Sequence, residues 1–317
     1  MKHVFGPVRS HRLGMSLGLD LVSPKTCNFN CIYCELGPTR RRTARRAVYV
    51  PAEDVLAEVD LVLGRNDRPD VRPDVLTLCG SGEPTLNSQI GALIAALKGR
   101  GVPVALLTNG SLLASEAVRE DVQGVDILLP SLDAADDATF AQVNRPLRAF
   151  SSVAAHVAGL KAMRRRFKGR IWLEVMLVAG FNDSAPHLEA LAALCRQTAP
   201  DRVQLTTVLR PPAGGTGVRP LATVAMNEAR QIFEGRVGCP VDIPAETPAT
   251  NRKEPARSPG LEEELLAMLS RRPSTAEGAA EALRAENSLV AELLDRLHRE
   301  GTITLARHGG QTFYTKR

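Results

Sequence analysis

Three cysteines fall within eight residues, in the segment Cys27-Asn-Phe-Asn-Cys31-Ile-Tyr33-Cys34. Thiols this close along a chain can share one inorganic centre. A zinc site usually takes its remaining ligands from a second pair of Cys or His. No such pair follows, and Cys79, Cys195 and Cys239 stand alone. Three thiolates suit an iron–sulfur cube in which one iron lacks a protein ligand, and an open iron is where a reactive ligand binds. A zinc knuckle is the competing reading of the same residues. The three isolated cysteines follow apolar patterns, where a free Cys behaves as a small hydrophobe.

Other chemistry-bearing residues recur just after apolar runs. Gly80-Ser81-Gly82-Glu83-Pro84 follows Val75–Cys79, Thr108-Asn109-Gly110 follows Val102–Leu107, and Ser131-Leu132-Asp133 follows Val125–Leu129. Polar or flexible residues at strand ends line binding sites on a rigid scaffold. Glu174 lies inside a later run and reads as pointing inward if the register allows. His156 reads as a packed or solvated helical residue. Arg40, Arg41, Arg42, Arg45 and Arg46 crowd the loop after Cys34, either as a solvated charged loop or as a phosphate grip. Arg164–Arg166 end a helical pattern, where cations complement the helix dipole.

The elements that must position these residues alternate. Residues 51–64 read as a helix opened by Pro51, with Val55, Leu56, Val59, Val62 and Leu63 on one face. Ile90, Leu93, Ile94 and Leu97 form the next helical stripe, and further helices fall near 151–167 and 185–197. Ile171–Val178 and Val203–Leu209 continue the strands. Nearly continuous apolar strands separated by helices predict a parallel α/β sheet covered on both faces. The pattern changes near residue 245, where AETPATNRKEPARSPG is rich in Pro and charge and reads as a linker. Beyond it, Leu261–Leu269, a helix opened by Pro273, and a helix capped by Asn287 or Ser288 precede two alternating strands, Thr302–Ala306 and Gln311–Thr315. Leu289, Leu293, Leu294 and Leu297 are expected on the third helix's inner face, and His308-Gly309-Gly310 at the turn. Three helices and a hairpin predict a winged helix. The expected organisation is 1–245, a linker at 246–260, and a tail at 261–317.

The C-x3-C-x2-C spacing, with an aromatic residue before the last Cys, resembles the signature of the radical S-adenosylmethionine (SAM) enzymes. The resemblance covers roughly residues 5–245 and implies an α/β fold, a partial (β/α)6 barrel. It implies a [4Fe-4S] cluster on Cys27, Cys31 and Cys34, whose free iron chelates SAM. Reductive cleavage of SAM then gives a 5′-deoxyadenosyl radical that takes hydrogen from a substrate. Ser81, Gly82 and Glu83 match the family's Gly-Gly-Glu segment, which meets the SAM amino group. Asn109 ends the next strand, Ser131 and Asp133 match the segment near ribose or carboxylate, and Tyr33 and Val208 are expected near the adenine. The wording FGPVRSHRLGMSLGLDL, GSGEPTLN and TVLRPP is similar to the wyosine-synthase-like subfamily. True wyosine synthases carry a second cluster on extra N-terminal cysteines, whereas no cysteine precedes Cys27.

Composition narrows the setting. The chain has 317 residues, 44% hydrophobic and 24% charged, which excludes disorder or coiled coil as the main description. No apolar run is long enough to span a bilayer, and the first residues lack a secretory h-region, so a cytoplasmic enzyme without membrane association is expected. Net charge is +5, with 33 Arg against 7 Lys. Residues 1–260 carry net +6 and residues 261–317 net −1. Glu292, Asp295 and Glu300 on the third tail helix would repel phosphate, so the tail is not expected to grip DNA and is read as docking on the barrel or helping to hold substrate. Only Arg307, His308, Lys316 and Arg317 look receptive. An RNA base is the favoured substrate, and a low-potential flavodoxin or ferredoxin the expected electron donor. The alternatives are an activase acting on a protein and a redox-sensing regulator.

Overall fold

A computed structural model describes residues 1–10, 12–64, 72–212, 217–244, 260–283 and 285–316. The chain opens with a hairpin, β1 (Val4–Ser10) and β2 (Gly14–Asp20), followed by two very short strands, β3 (Thr26–Cys27) and β4 (Arg41–Arg42). Then come α1 (Ala52–Leu63), β5 (Val75–Cys79), α2 (Ile90–Lys98), β6 (Val104–Thr108), α3 (Glu116–Asp121), β7 (Ile127–Pro130), α4 (Asp137–Val143) and α5 (Val153–Arg166). The alternation ends with β8 (Arg170–Leu177), α6 (Ala185–Gln197), β9 (Arg202–Thr207), α7 (Thr223–Val237) and β10 (Val241–Asp242).

These strands form one open eight-stranded sheet in the order β1-β2-β5-β6-β7-β8-β9-β10. Among the described residues of this sheet only β1 runs antiparallel; every other neighbouring pair is parallel. The expected parallel α/β sheet is therefore present. The opening hairpin was not foreseen, because its glycines interrupt the apolar pattern of β2. Strand ends differ from expectation by one or two residues: β6 begins at Val104, after Pro103, and β7 at Ile127. Helix α1 starts at Ala52 with Pro51 just outside it, and buries Val55, Val59 and Val62. Successive parallel strands put their C-terminal ends on one edge. The Ser81, Asn109 and Ser131 segments all leave the sheet there.

The tail consists of α8 (Leu261–Leu269), α9 (Ala276–Leu283), α10 (Asn287–Arg299), β11 (Ile303–His308) and β12 (Gln311–Lys316). It has its own core, including Leu265, Leu269, Val290, Leu294, Leu297 and Ile303. The second helix begins three residues after Pro273, and Glu286 rather than Asn287 or Ser288 precedes α10. Val290 takes the inner position expected of Leu289, which is 38% exposed. The β11–β12 turn is Gly309-Gly310, both at positive φ, while His308 still belongs to the strand. Apart from Gly260, the expected linker lies outside the described residues. Among the described residues no helix is long and apolar enough to cross a membrane.

The tail lies against the sheet. Arg271, just past α8, pairs with Asp20 at 3.2 Å, donates to the Lys2 carbonyl at 3.1 Å and covers the Phe5 ring. The His308 imidazole meets the Val208 carbonyl at 2.6 Å, and Arg9 reaches Glu281 at 3.5 Å.

Candidate active site

The cysteine loop is clamped from two sides by backbone hydrogen bonds. On one side Lys25 N donates to Ser81 O at 2.7 Å and Glu83 N to Thr26 O at 3.0 Å. Gly82 lies directly against this contact: a Cβ there would stand 1.8 Å from the Thr26 oxygen. The position thus demands glycine because two backbones touch. On the other side Asn30 N donates to Asn144 O at 3.1 Å and Ile32 N to Val143 O at 2.9 Å, both at the end of α4. The loop is therefore fixed between the β5 exit and the α4 terminus.

The three thiols are half-buried; Cys27 feels the charge of Cys34, and Cys31 that of both Cys27 and Cys34. Burial raises the pKa of all three; Cys27 is pushed up to about 12, with Glu83 adding to the rise. Lys25 opposes the shift at Cys34. Amide groups approach the sulfurs. Cys27 Sγ accepts from Phe29 N at 3.4 Å and Asn109 Nδ2 at 3.7 Å, and Cys31 Sγ accepts from Asn144 Nδ2 at 3.6 Å. A thiolate is costly in such a place unless a cationic centre compensates it, and N–H···S contacts are the kind that tune an iron–sulfur centre. Thr26 Oγ1 and Asn144 Oδ1, buried and without a hydrogen-bond partner among the described residues, belong to the same loop and its clamp. Among the described residues no group of three or more Cys, His, Asp or Glu is arranged to hold a single metal ion. A cube spreads its ligands over separate irons. The donor set thus fits three cube thiolates better than a zinc knuckle.

Two carboxylates anchor the surroundings. Glu83, 2% exposed, accepts through Oε1 from Thr85 N (3.1 Å), Thr85 Oγ1 (2.6 Å) and Thr108 Oγ1 (2.7 Å), and through Oε2 from Asn109 N (2.7 Å). Burial still holds its pKa above the usual carboxylate value. Glu83 thereby joins the β5 exit to the β6 exit. Asn109 extends the web, donating to Asn28 Oδ1 at 2.7 Å and accepting from Ser111 Oγ at 2.6 Å. Asp133, 1% exposed, accepts from Tyr33 Oη at 2.5 Å, Asn144 Nδ2 at 2.6 Å and Met176 N at 2.9 Å. Its pKa too is raised by burial.

The remaining expected residues are placed as follows. Ser81 N donates to Asp20 Oδ1 at 2.6 Å. Ser131 bridges to Glu174 and its carbonyl meets the buried His156 ring at 2.9 Å. Val208 packs with Ile32, Val143, Val178 and Val218, against Tyr33 and Met176. Glu174 is paired with Arg12 and only 17% exposed. Cys195 is fully buried, and Cys79, like Cys27, is pushed up to about 12 by burial. In the basic loop Arg46 is bound to Asp121 (2.6 Å) and the Thr85 carbonyl (3.0 Å), and Arg42 donates to the Arg145 carbonyl (2.9 Å). Arg40, Arg41 and Arg45 are exposed. Asn144, Asp20, Asn28 and Arg12 were not singled out from the sequence. Asn28, between two of the cysteines, carried the only local signal. A surface depression of about 600 Å³, lined by Lys98, Asp126 and Lys168 among others, lies at the opposite end of the strands and holds none of these groups.

The Radical SAM superfamily profile matches residues 21–192. A UPF0026 protein of Helicobacter pylori is 34% identical over 98% of this chain and 96% of its own length. A protein of Brachyspira hyodysenteriae named GTPase Obg is 35% identical over 95% of this chain, which spans 43% of that protein. Among solved structures, a radical SAM methyltransferase from Sphaerobacter thermophilus has TM-score 0.58 at 20% identity, covering 72% of this chain and 65% of that one. TYW1 with a lysine-pyruvate adduct has TM-score 0.53 at 17% identity, covering 73% and 76%. These two likenesses show the fold.

Proposed function

The chain belongs to the radical SAM superfamily, and from that premise we propose that Cys27, Cys31 and Cys34 hold its [4Fe-4S] cluster, beside a SAM site built from the strand ends. It is an enzyme that uses a [4Fe-4S] cluster and SAM. When bound, the pair supplies reductive cleavage of SAM to a 5′-deoxyadenosyl radical, which abstracts hydrogen from a substrate.

This chain's own residues do the positioning. Asn109 carries the reading: one side chain touches the Cys27 sulfur while its backbone N–H donates to Glu83. Cluster ligand and expected SAM segment are thus one hydrogen-bonded unit. Ser81, Gly82 and Glu83 present the β5 exit, with Gly82 letting the backbone lie against the cysteine loop. Ser131 and Asp133 present the β7 exit, and Asp133 orients Tyr33, which with Val208 forms an apolar wall for a purine. Burial of these walls excludes water from a radical that would otherwise be quenched.

For the substrate we favour an RNA base, supported by the exposed Arg40, Arg41 and Arg45 next to the cysteine loop. A flavodoxin or ferredoxin would deliver the electron, in the cytoplasm. We read 1–245 as the catalytic unit, 246–260 as linker and 261–317 as a winged-helix-like unit; its three helices and hairpin support that. Its acidic α10 and its hairpin, engaged with Val208 through His308, argue against DNA binding by the tail.

Reconstituted protein incubated with SAM and dithionite is expected to form 5′-deoxyadenosine, and Cys31→Ala to lose both its iron and that product. An iron-loaded wild type that forms none would refute the reading. Capture of bound tRNA rather than protein from anaerobic extracts would support the RNA substrate.

A further inference from the structure

Three guanidinium groups from distant parts of the chain act on Glu35, the residue after Cys34. Arg12 stands in the β1–β2 turn and pairs with Glu174 of β8. Arg210 follows β9 and pairs at 3.1 Å with Glu35, the residue after Cys34. Arg272 follows α8 in the tail. Arg12 and Arg272 feel the same three neighbours, Arg210, Glu35 and Cys79, and Cys79 in turn feels both. The three arginines therefore lie close together near the C-terminal ends of β5 and β9.

The charges there do not balance. Glu35 and Glu174 each answer one arginine, and the half-buried Cys79 thiol, pushed up to about 12, stays neutral at physiological pH. Arg272 has no side-chain hydrogen bond or ion pair among the described residues, while its neighbour Arg271 is fully engaged with Asp20, Lys2 and Ala267. Burial disfavours the charge of both Arg12 and Arg272, yet a guanidinium does not give up its proton in a protein. A guanidinium drawn partly out of water without a partner is disfavoured until an anion joins it. Arg12 and Arg210 keep 23% and 22% of their side chains accessible, so a small anion can reach them from solvent. Planar guanidinium forks match the paired oxygens of phosphate and carboxylate.

We infer that Arg12, Arg210 and the tail's Arg272 form a binding site for an oxyanion of the substrate, a phosphate or carboxylate, so that the tail completes the active site. This rests on the enzyme reading above and names the group by which that site holds its substrate. The anchoring of Arg271 on Asp20, itself bonded to Ser81 N, sets Arg272 in register with the expected SAM segment.

The test uses the full chain loaded with its cluster, titrated calorimetrically with inorganic phosphate, with acetate and with SAM. Wild type is expected to bind one equivalent of oxyanion, and Arg272→Gln to weaken this at least tenfold. Arg272→Lys should recover part of the loss, which a merely folding-defective tail would not show. Tighter binding of phosphate than acetate assigns a phosphate-bearing substrate, and the reverse a carboxylate; either supports the site. Oxyanion affinity unchanged in Arg272→Gln overturns it, as does a wild type that binds neither anion. A variant that instead loses SAM affinity also overturns it, because the guanidinium would then serve the SAM carboxylate. Wild-type protein that holds no iron and binds no SAM would bring down the enzyme reading and this inference with it; loaded, SAM-binding protein indifferent to Arg272 brings down only this one.

Discussion

His156 sits on the inner face of α5 with its ring against the Ser131 carbonyl and the Phe140 ring. Burial lowers its pKa from 6.5, so the folded chain holds it neutral. Between that lowered value and 6.5 the unfolded chain binds a proton that the folded chain refuses. Stability is therefore fully present above 6.5 and falls as pH falls through the window, by up to about 1.4 kcal/mol per pH unit from this group. Urea unfolding at pH 7.5 and 5.5 should show the drop, and His156→Gln should reduce it by a comparable amount. An unchanged slope in the variant would mean that the ring is charged in the fold. At the same scale, Asp133 accepts hydrogen bonds from Tyr33 and Asn144 and so fixes the orientation of both side chains.

Among the elements, the short β3 segment matters beyond its two residues, because it carries Cys27 and lies against Gly82. A methyl group at Gly82 would overlap the Thr26 oxygen, and backbone cannot yield as a flexible side chain can. Gly82→Ala should therefore push the cysteine loop off the β5 exit, at a cost of roughly 1–3 kcal/mol. Iron retained after desalting is expected to fall well below wild type while circular dichroism of the sheet persists. Full iron retention would show that the loop tolerates displacement. The strands themselves behave more simply: β5 and β6 are buried on both faces, which is why their apolar runs read clearly and their exits could be located to within a residue or two.

For the whole molecule, the decisive contact is Arg271 with Asp20, 18% and 7% exposed. Burial raises the Asp20 pKa, and Arg271 works against that rise. Arg271→Ala leaves a buried carboxylate without its cation, a change worth about 3–5 kcal/mol in comparable pairs. The tail has a core of its own. Denaturation followed by near-ultraviolet circular dichroism should thus resolve an early tail transition in the variant where wild type unfolds in one step. A single, unshifted transition would show that the tail is held by its other contacts, such as His308 with Val208.

Much of this is legible in the sequence alone, and the reason is locality. The cysteine spacing lies within eight residues, and the Gly82–Glu83, Asn109 and Ser131–Asp133 segments each sit at the end of an apolar run, so short-range pattern sufficed to list them and to predict a parallel α/β sheet. The hairpin turn of the tail was also local, down to its glycines. The sequence was silent where partners are far apart along the chain. Nothing near Asn144 marks it as a donor to Cys31, nothing near Asp20 marks it as the link between Ser81 and the tail, and Glu174 could be placed inward only once its register with Ser131 was known. The convergence of Arg12, Arg210 and Arg272 spans some 260 residues. Hydrogen bonds and charge pairs depend on distance in space, and only the twist of the sheet and the docking of the tail bring those side chains within reach of one another.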